Sequence, residues 1–195
     1  MPGLSLALHG EMLTPAMEEG LRDHTLDAAL LRPPVASPDV EYRVVAREPL
    51  VVALPSFSAL AVDLPVAVHE LQDQEFITYP PDSVLYRTAA DLCRQAGFQP
   101  RIAQVAGETS TLLSFVAAGG GVAVVPAGVR AFQLEGVVYR DIEHSPQIEL
   151  AVAWRREDRS ALLHNFIDLV VDVQAAPGSP GGTPVPPAQE RPARP

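Results

Sequence analysis

Residues 105–129 of this chain, VAGETSTLLSFVAAGGGVAVVPAGV, predict the end of a strand, a helix, a glycine turn and a second strand in close succession. The polar run 108–111 offers several helix N-cap candidates. Apolar residues at helical spacing follow, and the glycines at 119–121 end the helix because glycine tolerates a left-handed backbone. Residues 122–125 form a buried strand that Pro126 ends. The free N–H groups at the start of such a helix favour an anion.

Outward from this stretch, predicted strands and helices alternate along most of the chain. We expect Thr14 to cap its helix, with Pro15 at the first helical position. This alternation is typical of an α/β protein with mostly parallel sheets. The predicted strands are residues 4–8, 26–31, 51–54, 76–79, 102–105, 122–125 and 148–154, and the other predicted helices are residues 14–23, 85–95 and 160–173.

The composition limits the classes of protein to which the chain can belong. Its 195 residues carry a formal net charge of -10, and every basic residue is arginine. An acidic chain is a poor binder of phosphate backbones, so we expect no direct DNA contact. The lone Cys93 permits no internal disulfide and fits a reducing compartment. No segment has the composition of a membrane span or a signal peptide, so we expect a cytoplasmic protein without membrane contact.

Five segments, in this order, resemble the effector-binding domain of LysR-type transcriptional regulators. They are LDAALLRPP at 26–34, EPLVVALP at 48–55, LQDQEFITYP at 71–80, CRQAGF at 93–98 and the stretch from Leu113 to Pro126. The resemblance covers roughly residues 4–170. It implies an α/β fold of the type 2 periplasmic-binding-protein class, in which two crossing strands join two lobes and a ligand lies between them.

The resemblance also implies boundaries. Lobe I would comprise residues 1–48 plus 138–174 and lobe II residues 49–137, with crossings near Glu48–Pro49 and residues 137–139. Residues 175–195 are rich in proline and glycine without apolar periodicity, so we expect a disordered tail. The family's winged helix-turn-helix, and the first strand and helix of its first lobe, have no counterpart here. We therefore expect an N-terminally truncated domain; a mis-assigned gene start, a decayed fragment and a strand donated by another chain remain open.

Two candidate effector-binding residues lie in the first predicted lobe. Thr14 stands where the resemblance places an effector-contacting threonine, although a plain N-cap would also explain it. Arg32 follows a buried strand and precedes Pro33–Pro34, so its guanidinium can clamp a carboxylate at the cleft. The alternative for Arg32 is a solvated side chain in a local ion pair.

The other five candidates belong to the second predicted lobe. Tyr79 and Pro80 end a strand that faces the cleft and would shape its apolar side, although Tyr79 also fits an ordinary core. Ser83 follows one turn later and can cap the next helix. Glu108 and Thr109 begin the helix described first, where Thr109 can line the cleft or only cap. Because Glu108 is acidic, it argues against a site for two anions unless the ligand or an arginine offsets its charge.

No pattern of catalytic or cofactor-binding residues accompanies these candidates. The five histidines are scattered without metal-ligand spacing, and the triple glycine lacks the residues of a P-loop or a dinucleotide-binding turn. We therefore expect no enzyme, no metal and no cofactor. The predicted function is a sensor of a small effector, with carboxylates or aromatic acids favoured, that regulates transcription as a homo-oligomer or with a full-length regulator. The alternatives are a solute-binding module of the periplasmic-binding class and a non-functional fragment.

Overall fold

The computed structural model describes residues 6–10, 12–175 and 183–184, which form four α-helices, eight strands and several 3₁₀ turns. Their order along the chain is α1 (Thr14–Arg22), β1 (Ala28–Leu31), β2 (Val40–Pro55), β3 (Glu75–Thr78), α2 (Val84–Gln95), β4 (Arg101–Val105), α3 (Thr109–Ala117), β5 (Ala123–Pro126), β6 (Val137–Asp141), β7 (Gln147–Arg155), α4 (Ala161–Ala175) and β8 (Thr183–Pro184). None of the helices described is long and apolar enough to cross a membrane.

Strand β2 is the longest element, and it runs through both lobes. Over Val40–Pro49 it pairs with β7, and over Leu50–Pro55 it pairs with β5 on one side and β6 on the other. Every residue of 50–55 is buried, as expected for an apolar run that is covered on both faces of a sheet. One strand therefore links the sheets of the two lobes without a break.

The pairing in the main sheet is antiparallel, so the expectation of mostly parallel sheets was wrong. The strand order is β1-β7-β2-β5, and β7 runs opposite to both of its neighbours. Because β7 comes from late in the chain and inserts between β1 and β2, those two strands run parallel without touching. Among the residues that the structure describes, parallel pairing is confined to β3 with β4 and to single bridges such as Phe76 with Val122.

Helices cover both faces of each lobe, and four buried clusters result. In lobe I, α1 packs Leu21 on Ala29 and Leu31, while α4 packs Leu163 and Ile167 on the opposite face of the sheet. In lobe II, α2 lies over one face and α3 over the other. Strand β2 supplies at least one side chain to each of the four clusters. The two-lobed α/β fold expected from the sequence is therefore present.

The helix α3 ends as its sequence predicts. The N–H of Gly120 donates to the carbonyl of Phe115, and the N–H of Gly119 donates to that of Val116, which is the Schellman arrangement. Gly119 takes a positive φ of 80° at this end. Gly121 is required for another reason: a Cβ there would lie 2.4 Å from the carbonyl oxygen of Glu75.

Two expectations near the chain ends need correction, and the expectation of a disordered tail stays a prediction. Residues Leu6 and Leu8 lie outside any strand and are exposed, so the predicted strand at 4–8 is absent from its described part. Leu13 occupies the N-cap position of α1, because Thr14 is already helical and its hydroxyl bonds elsewhere. Within the predicted disordered tail 175–195, Ala175 closes α4 and residues 183–184 pair with β2; the rest of the tail lies outside the described residues.

Candidate functional site

The lobe I side of the candidate site is built where α1 begins and β1 ends. The hydroxyl of Thr14 donates a 3.2 Å hydrogen bond to the carbonyl oxygen of Arg32, which fixes the start of the helix against the end of the strand. The Arg32 side chain is 18% exposed and its guanidinium is already engaged. It donates to a carboxylate oxygen of Glu48 at 2.7 Å and to the backbone carbonyl of Glu149 at 3.3 Å.

Glu48 is the buried counter-ion of Arg32, and its side chain is only 4% exposed. Its second carboxylate oxygen accepts a hydrogen bond from the backbone N–H of Gly128, which lies in the 3₁₀ turn after β5. Both oxygens therefore have a donor, as a buried carboxylate requires. Because Arg32 follows the lobe I strand β1 and Gly128 follows the lobe II strand β5, Glu48 ties the two lobes together.

The lobe II side is built from residues at the starts of α2 and α3. Ser83 is the N-cap of α2, and its hydroxyl accepts a hydrogen bond from the N–H of Leu85 at 3.1 Å. Tyr79 follows β3, and its hydroxyl lies 3.0 Å from that of Thr109, the first residue of α3. Two hydroxyls and the N-termini of two helices thus come together at the end of β3.

These two sides enclose a cavity of about 160 Å³ between the lobes. Five of the seven candidate residues line it: Thr14, Arg32, Tyr79, Ser83 and Thr109. Pro80 and Glu108 do not line it; Glu108 is an exposed N-cap residue whose side chain makes no capping hydrogen bond. Helices α1, α2 and α3 all begin at this cavity, and their N-terminal dipoles favour a negative charge there.

Apolar side chains cover much of the remaining wall. The cavity is also lined by Met12, Leu13, Met17, Leu30, Leu31, Val84, Leu85 and Leu150. These residues escaped the sequence analysis, because methionine and leucine at helical or strand spacing predict ordinary core. Glu48 was not predicted as a site residue either, although an acidic residue just before an apolar strand can indicate a buried charge pair.

A larger hollow of about 810 Å³ opens on the surface of lobe II, beside β6. Its two arginines already have partners: Arg130 pairs with Asp141 at 2.7 Å, and Arg140 donates to backbone carbonyls, among them that of Ala61. Burial, followed by the charge of the Tyr79 phenol, raises the pKa of Tyr139 in its wall. The smaller interlobe cavity is the stronger candidate because three helix N-termini converge there.

Within the described part of the chain, no three histidine, cysteine, aspartate or glutamate side chains are grouped to hold a metal ion. Cys93 is buried in α2 among apolar side chains, and burial raises the pKa of its thiol to about 11. A protonated, inaccessible thiol is a poor nucleophile. The polar groups that the interlobe cavity presents are hydroxyls, helix N-termini and one paired guanidinium.

Comparison with known proteins agrees with this architecture. The family model for the LysR substrate binding domain matches residues 1–175. The regulator ShiR of Corynebacterium glutamicum is 31% identical over 176 residues, which cover 89% of this chain and 60% of ShiR. The activator HcaR of Escherichia coli is 32% identical over 164 residues, covering 82% of this chain and 55% of HcaR. The chain thus spans little more than half the length of these curated relatives.

A solved structure extends the comparison to the fold. The effector-binding domain of BenM, determined with its effector benzoate, superposes with a TM-score of 0.69 at 24% sequence identity. The match covers 84% of this chain and 76% of that domain. At this identity the likeness concerns the fold alone.

Proposed function

Since the chain belongs to the LysR substrate-binding domain family, and so carries the effector-binding domain of a LysR-type regulator, we propose that its interlobe cavity binds a small carboxylate. The supporting observation is the convergence of α1, α2 and α3, whose first turns all line the cavity beside Arg32. Backbone N–H groups at helix N-termini are strong donors to an anion. The hydroxyl of Ser83, whose oxygen accepts from the N–H of Leu85, adds a further donor.

The class of ligand follows from the polar and apolar residues that line opposite sides of the interlobe cavity. One side of the cavity is polar, whereas Met17, Leu30 and Leu150 belong to an apolar side. A cavity of about 160 Å³ suits a compact molecule. A carboxylate attached to a small apolar or aromatic body satisfies both sides at once. Benzoate, the effector of the BenM domain with the same fold, has this chemistry and is the first compound to test.

Regulation requires that the ligand bind two lobe arrangements with different affinity. Glu48 contacts Arg32 in one lobe and Gly128 in the other, so an anion that draws on Arg32 changes the link between the lobes. The chain then acts in the cytoplasm as the sensing part of a transcriptional regulator. Its net charge of -10 means that DNA contact has to come from another segment or chain.

A thermal-melt titration of the whole chain with benzoate tests this function. A ligand that binds only the native state raises the melting temperature with concentration. We expect a shift with benzoate and none with benzamide, which matches its shape without the charge. We expect Thr14→Val and Arg32→Ala to reduce the shift, each measured from its own melting temperature. Arg94→Ala, which removes an exposed ion pair with Asp91 far from the cavity, is the matched control.

Absence of a shift with benzoate and a panel of other small carboxylates would refute the carboxylate proposal. Equal shifts of the melting temperature in wild type and Arg32→Ala would show that a ligand binds but that the Arg32 guanidinium takes no part in its site. Equal shifts with benzoate and benzamide would show that the cavity does not recognise the negative charge of the carboxylate.

A further inference from the structure

The chain returns from lobe II to lobe I beside β2, but it does not keep an even register with that strand. The last residue of β6 lies opposite Val51, and the first residue of β7 lies opposite Pro49. Only Leu50 stands between these two positions of β2, whereas the five residues 142–146 connect β6 to β7. The connecting residues therefore leave the sheet as a loop at the boundary between the lobes.

A serine side chain fills the gap that this loop leaves in the ladder. The hydroxyl oxygen of Ser145 accepts a hydrogen bond from the N–H of Leu50 at 2.8 Å, and the hydroxyl donates to the carbonyl oxygen of Leu50 at 2.9 Å. The carbonyl oxygen of Pro146, at 3.3 Å, is a longer alternative acceptor. In a regular antiparallel ladder both bonds would go to one backbone residue of the neighbouring strand. One hydroxyl therefore takes the place of a paired residue and joins the loop 142–146 to β2.

The start of this loop is fastened to lobe II. Ile142 is buried in the lobe II cluster that α2 covers, and it forms a single parallel bridge with Val66. The N–H of Glu143 donates to the carbonyl oxygen of Val66 at 3.0 Å. The end of the loop leads directly into β7, which belongs to the lobe I sheet. A rotation of one lobe against the other therefore has to be taken up by residues 144–146 on this side of the crossing.

The backbone of these residues forms a tight turn. The N–H of Ser145 donates to the carbonyl oxygen of Ile142 at 3.2 Å, and His144 between them has a φ of 54°. A positive φ is unfavourable for a residue with a side chain, so such a turn persists only where neighbouring bonds hold it. The two hydrogen bonds between Ser145 and Leu50 are bonds of this kind, and their loss lets the turn relax.

We propose that Ser145 is a positioning residue of the interlobe site, because its hydroxyl holds the turn 142–145 against β2 and so keeps the two lobes in the arrangement that forms the cavity. Residues 142–146 do not line that cavity, so Ser145 acts on a ligand only through the lobes. The effect on a ligand rests on the proposed function, whereas the effect on the arrangement of the lobes does not.

Removal of the hydroxyl separates the arrangement of the lobes from the stability of the fold. Ser145 is half-buried, so in Ser145→Ala a water molecule can bond to the N–H and carbonyl of Leu50 instead. Water satisfies these backbone groups but does not tie the loop 142–146 to β2. The variant therefore stays folded, while its lobes sample a wider range of arrangements. Since only part of that range forms the cavity, the apparent affinity for an effector falls.

The distance between one spin label on each lobe, measured by pulsed electron paramagnetic resonance without ligand, tests the proposal. The labels are attached to the whole chain through Asp23→Cys in lobe I and Asp91→Cys in lobe II, two exposed positions, in a Cys93→Ala background. We expect one narrow distance distribution in this parent chain, a wider one in Ser145→Ala, and the parent width in Ser145→Thr, which keeps the hydroxyl. Ser114→Ala is the matched control, since the Ser114 hydroxyl bonds within α3. Thermal melts establish that each variant is folded.

Two results of this measurement would overturn the proposal. One is the same distance distribution in Ser145→Ala and in the parent chain. The other is a widening that Ser145→Thr or Ser114→Ala shows in full, because the Ser145 hydroxyl is then not its cause.

A benzoate titration of the parent chain and Ser145→Ala connects the turn to the site. If about one third of the variant molecules form the cavity, the dissociation constant rises about threefold. An equal dissociation constant beside a wider distance distribution would overturn the role of Ser145 in the site. Absence of benzoate binding in both chains would count against the carboxylate proposal, whereas the distance measurement would still decide whether Ser145 holds the lobes.

Discussion

The Nη2 atom of Arg32 and the Oε1 atom of Glu48 are 2.7 Å apart, in an ion pair that is largely removed from solvent. The other oxygen of Glu48 accepts the N–H of Gly128. Arg32 and Glu48 are sixteen positions apart in the sequence, and Gly128 lies eighty positions after Glu48. The carboxylate of Glu48 therefore joins an arginine and a turn that are distant in sequence. Arg32 lines the cavity and Glu48 connects the lobes, so we expect loss of the pair to lower the stability of the fold and to change the wall of the cavity.

We expect Glu48→Ala to lower the free energy of unfolding by about 3 kcal/mol, because it leaves Arg32 without a counter-ion and Gly128 without an acceptor. Urea denaturation measures this change. The control is Asp168→Ala, which removes an exposed pair with Arg43 and should cost under about 1 kcal/mol. Equal losses in the two variants would show that Glu48 is no more than a surface partner.

The hydroxyls of Tyr79 and Thr109 should be energetically coupled. They lie 3.0 Å apart, and Tyr79 is only 5% exposed. In a double-mutant cycle of Tyr79→Phe and Thr109→Val, we expect a coupling free energy of about 1 kcal/mol in urea unfolding. Tyr79→Phe with Thr88→Val is the control cycle, since Thr88 bonds to Val84 within α2. Additive effects in the first cycle would mean that the two hydroxyls do not interact in solution.

Gly121 cannot carry a side chain without movement of β3. Gly121→Ala places a Cβ 2.4 Å from the carbonyl oxygen of Glu75, so we expect a loss of about 3 kcal/mol or more in the free energy of unfolding. Gly107→Ala is the matched control, since no atom lies within 4 Å of the Cβ that it would add. Thermal and urea melts of the two variants compare them directly, and a Gly121→Ala variant as stable as Gly107→Ala would contradict the close approach.

Stability should decline in alkaline solution because of Cys93. Burial raises the pKa of its thiol from 9.0 to about 11, so above pH 9 the unfolded chain releases the thiol proton more readily than the folded chain. The unfolded state then binds fewer protons, and the free energy of unfolding falls as pH rises from about 9 to 11. Urea denaturation in this range measures the slope. Cys93→Ala removes this contribution, and an identical slope in that variant would rule it out.

The stretch 105–129 shows why part of the fold is predictable. The Schellman end of α3 and the buried strand β5 depend on residues that lie close together in sequence: an apolar helix, three glycines and a short apolar run. The prediction of parallel strand pairing was wrong, because the direction of pairing depends on where β7 inserts into the sheet. No local sequence pattern encodes that position. The prediction of Thr14 as the N-cap of α1 was wrong, because the Thr14 hydroxyl donates to the carbonyl oxygen of Arg32, eighteen residues away.

The candidate site divides along the same line. Thr14, Arg32, Tyr79, Ser83 and Thr109 stand at ends of helices or strands, where sequence signals are strong, and all five line the cavity. The partner of Arg32 was not predicted. Glu48 approaches Arg32 only because β2 pairs with β7 in the sheet, and this pairing cannot be recognised from the local sequence. The apolar wall was missed because Met17 and Leu150 have spacings that also fit a core.

The pairing of β2 with β7 has a consequence for synthesis on the ribosome. Residues 40–49 of β2 find their partners in residues 147–155, about a hundred positions later. The partners of residues 50–55, in β5 and β6, emerge earlier. During translation the lobe II end of β2 can therefore be paired while its lobe I end still waits for β7. Until β7 leaves the exit tunnel, β1 and the first ten residues of β2 lack their partner strand, so the nascent chain exposes the apolar faces that β7 later covers.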